Sequence, residues 1–126
     1  MSAPTSRKTI LVVEDEPLLR ELSVGELQEA GYDVIEAPTA VDALAVLTSG
    51  VAIAVIFTDV NMPGDLNGLE LSEMVRERWP QVRLIVTSGG GQVGSSDVRP
   101  PGRFIPKPYR LDQMIAAVRE LAEDAN

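Results

Sequence analysis

The stretch Val51-Ala52-Ile53-Ala54-Val55-Ile56-Phe57-Thr58-Asp59-Val60-Asn61-Met62-Pro63-Gly64 constrains the fold more than any other part of the chain. An unbroken apolar run ends in a carboxylate, and a Pro-Gly breaker follows. Short apolar runs bounded by turn signals suit the central strands of a parallel sheet, which are covered on both faces. In an open α/β sheet such a strand delivers its last residue to the crevice at the carboxyl ends, where ligands bind. Asp59 is that residue. An aspartate at a strand end also forms simple turns by bonding its own backbone, and this stretch alone leaves both readings open.

The rest of the chain repeats the same grammar. Residues 1–8 are small, polar and proline-containing, and read as a flexible lead-in. Thr9 to Val13 is a second apolar run, followed by Glu14-Asp15-Glu16 and by Pro17, which suits the first turn of a helix. Leu18, Leu19, Leu22, Leu27 and Ala30 place an apolar stripe on that helix, and Gly31 ends it. A short strand follows at residues 32–36, and Thr39 caps a helix carrying Val41, Ala43, Leu44, Val46 and Leu47. The central strand spans about residues 53–58. Leu69, Leu71, Met74, Val75 and Trp79 mark a third helix closed by Pro80. Residues 82–87 form a fourth strand, Arg103-Phe104-Ile105 a fifth, and the last helix starts near Leu111. Strands alternating with helices predict one α/β domain: a doubly wound parallel sheet with helices on both faces.

Composition removes several kinds of chemistry. The 126 residues contain no cysteine and no histidine. Thiolate sites, disulfides, imidazole ligands and Ser-His or Cys-His pairs are therefore excluded, and any bound metal must be hard and oxygen-ligated. A net charge of −8 without any basic run argues against nucleic acid as a partner. No apolar stretch reaches membrane-spanning length and no signal core is present, so a cytoplasmic protein is expected.

Parallel connectivity brings Glu14-Asp15, Asp59, Thr87 and Lys107 to one rim of the sheet. Each has an ordinary reading: Asp15, with Glu16, as a helix cap, Thr87 as a turn hydroxyl, Lys107 as a solvated charge. Together they resemble the receiver domains of two-component response regulators. The likeness rests on the acidic pair, Asp59-Val60-Asn61-Met62-Pro63, Thr87-Ser88 and Lys107-Pro108, and it extends over essentially the whole chain.

The resemblance implies a flavodoxin-like five-stranded sheet in the order 2-1-3-4-5, with the receiver spanning residues 9–123 and a tail at 124–126. It implies that Asp59 accepts a phosphoryl group from a histidine kinase or histidine phosphotransfer protein. Mg2+ would then be held by Glu14, Asp15, Asp59 and the Asn61 carbonyl. Thr87 and Lys107 would hold phosphoryl oxygens, Thr87 and Phe104 would form the switch, and Lys107-Pro108 would be cis. The protein would be a phosphoacceptor rather than an enzyme in the usual sense, signalling to an unknown downstream protein. It reads as a standalone receiver or as an isolated piece of a larger protein.

Two features depart from the usual pattern. The acidic pair is Glu-Asp where many receivers have Asp-Asp, and the loop from Asp59 to Gly68 is one residue longer. The segment between strands four and five, Gly89 to Gly102, is so rich in glycine and proline that at most one helical turn is expected in place of a full fourth helix. Two other classes compete. A haloacid-dehalogenase-like phosphatase needs an acid two residues after its nucleophile, where this chain has Asn61. An FMN-binding flavodoxin-like protein needs a phosphate loop after the first strand, where Glu14-Asp15-Glu16 would repel phosphate.

Overall fold

In the computed structural model, which describes residues 7–61, 64, 66–89, 98 and 102–124, the apolar runs become five strands of one parallel sheet. They are β1 (Thr9–Val13), β2 (Asp33–Ala37), β3 (Val55–Asp59), β4 (Arg83–Ser88) and β5 (Arg103–Pro106). The helices are α1 (Pro17–Glu29), α2 (Ala40–Thr48), α3 (Gly68–Arg78) and α4 (Leu111–Asp124). The strand order is β2-β1-β3-β4-β5, as expected.

Alternation along the central strands divides the core in two, because successive side chains leave a strand on opposite faces. Ile10, Val12, Val55 and Phe57 pack with Val24 and Leu27 of α1 and with Met114, Val118 and Leu121 of α4. Leu11, Val13 and Ile56 pack with Ala43 and Leu47 of α2 and with Leu71 and Val75 of α3. All five residues of β3 are buried. Burial of this extent, about 25 cal/mol per Å² of apolar surface, holds β3 at the middle of both layers.

Capping explains where the helices start. The Thr39 hydroxyl accepts the Asp42 N–H at 3.1 Å, as expected for α2. Asn67 and Glu70 form a reciprocal capping box at α3, and the Glu16 carboxylate accepts the Leu19 N–H at α1. Of the two acids offered by the sequence, Glu16 is therefore the cap of α1.

The stripe expected on α1 is only partly correct. The helix buries Ser23, Val24 and Leu27, while Leu18 is 63% and Leu22 48% exposed. Residues 18 and 22 lie one turn apart on a face that 24 and 27 do not share. Five apolar positions cover more than one face, so periodicity alone could not select the inner one. Val41 on α2 is exposed for the same reason. Strand edges also move by a residue or two: β2 and β4 begin and end one residue later than expected, and β3 runs to Asp59 itself.

Ordered contacts begin at Lys8, whose carbonyl accepts the Asp33 N–H at 3.1 Å and whose ammonium donates to the Ala122 carbonyl at 2.5 Å. Residues 1–6 of the lead-in expected at 1–8, residues 125–126 of the tail expected at 124–126, and the single turn expected between Gly89 and Gly102 fall outside the described residues, save for Gly89, Val98 and Gly102. Of the lengthened loop, Met62, Pro63 and Asp65 also fall outside them.

Candidate functional site

Strand register assembles the site. Val13 pairs with Thr58, so Glu14 leaves the sheet beside Asp59. Asp59 pairs with Thr87, and Ser88 with Pro106. The Lys107 N–H then donates to the Ser88 carbonyl at 3.0 Å, which extends the ladder by one residue past β5. The Lys107–Pro108 peptide bond is cis.

At the centre, Lys107 Nζ lies 3.0 Å from Asp59 Oδ2 and 3.3 Å from Glu14 Oε1. The other Asp59 oxygen accepts the Asn61 N–H at 3.3 Å, and the other Glu14 oxygen accepts the Glu16 N–H at 3.1 Å. Carboxylate oxygens of Glu14, Asp15 and Asp59 fall within 4.8 Å of one another. Asp15 is exposed while Glu14 and Asp59 are buried. One ammonium thus faces three carboxylates. This is a set of hard oxygen donors with charge left over, which suits a divalent cation.

Burial pushes the Glu14 carboxyl above its ordinary value of 4.5, against the pull of the Glu16 N–H and Lys107. Burial alone would lower Lys107, but its hydrogen bond to Asp59 and the charges of Glu14 and Asp59 outweigh it and raise it above 10.5. The signs follow. A buried acid with a raised pKa weakens the fold as pH rises from 4.5 through that raised value, whereas Lys107 stabilises the fold until pH passes 10.5. Glu14→Gln is therefore expected to raise the metal-free melting temperature at neutral pH. It should also flatten the pH dependence of stability as pH rises above 4.5. Melts in chelator check this, and an unchanged slope in the variant would contradict it.

Thr87 is fully buried, and its hydroxyl has no hydrogen-bond partner among the described residues. Unpaired buried hydroxyls cost free energy, so one at a strand end beside Asp59 points toward a ligand. Phe104 is half-buried on β5, opposite Val86 and packed with Val60, Val86, Val98 and Leu69.

Sequence reasoning overlooked three contributors. A Cβ on Gly68 would lie 2.0 Å from the Asp59 carbonyl oxygen, so only glycine lets α3 start against the back of β3. Its sequence signal was a glycine directly after the Asn67 cap. The Tyr109 ring meets Phe57 edge-on at 5.4 Å, and its hydroxyl lies 3.4 Å from Ser23 Oγ, tying the loop after Lys107 to α1. Arg20 reaches back to the Glu14 carbonyl at 2.8 Å, which no local pattern signals.

A doubly wound sheet with a buried aspartate, an acidic pair, a hydroxyl and a lysine on one rim defines a phosphoacceptor of the receiver class. The chain belongs to the response regulator receiver domain family, which it matches over residues 10–119, and it is a phosphoacceptor of two-component signalling. Among its relatives is the sensor kinase CckA of Brucella abortus, 34% identical over 119 residues; the match covers 91% of this chain and 12% of that kinase. The chain thus spans only about an eighth of that relative's length. Among solved structures, a response regulator receiver protein from Sinorhizobium medicae WSM419 superposes with a TM-score of 0.88 at 27% identity, covering 96% of this chain and 98% of that one. TrrA of Thermotoga maritima, solved in complex with Mg2+ and BeF, gives 0.77 at 30% identity, covering 90% and 98%. Receiver domains bind Mg2+ at the acidic pocket and receive phosphoryl groups from histidine kinases. Neither the phosphatase nor the flavin reading has support. Among the described residues no helix is long and apolar enough to cross a membrane.

Proposed function

We propose that Asp59 accepts the phosphoryl group, in a unit spanning residues 9–123, with Mg2+ held by Asp15, Asp59, the Asn61 carbonyl and, through water, Glu14. The observation that carries this reading is Lys107 Nζ at 3.0 Å from Asp59 Oδ2, with two further carboxylates within 4.8 Å. A carboxylate oxygen of Asp59 attacks phosphorus, the O–P bond forms as the P–N bond of phosphohistidine breaks, and the imidazole leaves with its electron pair and takes a proton. Bound Mg2+ supplies positive charge against the three carboxylates and the phosphoryl oxygens. Lys107 moves its hydrogen bond from Asp59 Oδ2 to a phosphoryl oxygen, and Thr87 donates its unpaired hydroxyl to another. Phe104, next to β4 and one residue from the partner of Thr87, then repacks in the cluster with Val60 and Val98. The protein assists its own phosphorylation and dephosphorylation and acts in the cytoplasm.

The donor is a histidine kinase or a histidine phosphotransfer protein, and it docks on α1. Leu18 and Leu22 are exposed there, on a helix whose Leu19 lines a 340 Å³ cleft with Lys107, Pro108 and Tyr109. Phosphotransfer to Asp59 tests both parts. Wild type incubated with Mg2+ and either acetyl phosphate or a phosphorylated histidine kinase should gain one base-labile phosphate. Leu18→Asp should slow transfer from the kinase about tenfold, as loss of a central apolar anchor does. It should leave the acetyl phosphate rate unchanged, and equal slowing with both donors would show that the leucine serves the site, not docking.

A further inference from the structure

Arg20 sits on α1 facing the acidic loop, with its side chain only 20% exposed. Its Nη1 donates to the Glu14 carbonyl at 2.8 Å, and its Nε donates to Glu36 Oε1 on β2 at 3.1 Å. The Glu14 N–H meanwhile donates to the Ala37 carbonyl at 3.1 Å, so β2 holds one side of Glu14 and the guanidinium holds the other. The carbonyl that Arg20 grips belongs to the peptide joining Glu14 to Asp15. Because a peptide unit is planar, fixing that carbonyl fixes the direction in which the next residue leaves. Asp15 needs such a constraint. It is exposed, it does not cap α1, and its carboxylate has no hydrogen bond to a described residue.

We propose that Arg20 is a positioning residue that aims the Asp15 carboxylate at the metal, with Glu36 on the edge strand as its anchor. This rests on the metal reading above. A planar guanidinium suits the task, since its fork serves a carbonyl and a carboxylate at once, which an ammonium cannot do in one plane.

Charge and positioning make opposite predictions. Arg20→Gln removes a cation near three carboxylates, so electrostatics alone would tighten Mg2+ binding. Positioning requires the reverse, a loss of about tenfold, the scale on which residues behind metal ligands act. Titration of wild type and variant with MgCl2, followed by calorimetry, measures this on folded protein without any phosphoryl transfer. Arg20→Lys keeps the charge but gives up the two-pronged grip, and it should fall between wild type and Arg20→Gln. It also keeps the test available if the glutamine variant fails to fold. Wild-type binding with unchanged or tighter binding in the variants overturns the role of Arg20 alone. Absence of Mg2+ binding in wild type overturns the metal reading and this role with it.

Discussion

Asp59→Asn should take up no phosphate from acetyl phosphate and Mg2+, while remaining folded. The expected effect is all-or-none because a carboxamide has no anionic oxygen to form an acyl phosphate. Shape is kept, and the Asn side chain can still accept the Asn61 N–H now bonded to Asp59 Oδ1 at 3.3 Å. What is lost is the charge paired with Lys107 at 3.0 Å. Glu14 retains its own contact with that ammonium at 3.3 Å, so the lysine is not left alone. Intact mass before and after mild base reads the result directly. A variant that still gains one base-labile phosphate at the wild-type rate would move the acceptor to another residue of the rim.

Gly68→Ala should be strongly destabilising, and of Gly25, Gly68 and Gly89 it leaves the added methyl least room. The added Cβ would fall 2.0 Å from the Asp59 carbonyl oxygen and 2.8 Å from its carbonyl carbon, both backbone atoms of a central strand. The third close atom, Thr58 Oγ1 at 3.0 Å, is a side-chain atom, but its turning aside would not relieve the two backbone contacts. Either α3 moves away, breaking the Gly68 N–H bond to the Val60 carbonyl, or the end of β3 bends and carries Asp59 with it. Overpacking in a close-packed core costs about 1–3 kcal/mol and at times more, and this contact belongs at the upper end. That corresponds to a fall in melting temperature of about 10 °C. Urea and thermal melts test the stability, and the phosphorylation rate of the surviving folded fraction tests the displacement of Asp59. Gly25, which has nothing within 4 Å of its Cβ position, provides the control. If Gly68→Ala melts like Gly25→Ala, the close approach does not exist in solution.

How much was legible beforehand follows from what each kind of residue responds to. Asp59 could be found because an unbroken apolar run stops at it, and burial of the run compels a central strand. Lys107 and Thr87 could be found because parallel strands all end on the same rim, so chain order implies spatial neighbourhood. The cap of α2 at Thr39 was readable because its partner, Asp42, lies three residues away. The inner face of α1 was not readable, because Leu18 and Leu22 are as apolar as Leu27 and no local term distinguishes them.

Local and sequential physics therefore determined the class of fold, the strand that carries the buried Asp59 carboxylate and the identity of the groups around it. Tertiary structure alone decided how those groups meet. Ion pairs across 48 and 93 positions of chain bring Lys107 to Asp59 and Glu14, and that geometry depends on strand register rather than on neighbours in sequence. The same holds for Gly68, whose missing side chain matters only because α3 begins against the back of β3. It holds for Arg20, whose role depends on a carbonyl six residues earlier and a carboxylate sixteen residues later. Interactions that close long loops become favourable only after the sheet is assembled, since the chain entropy they cost is met by burial of the core and not by the contacts themselves.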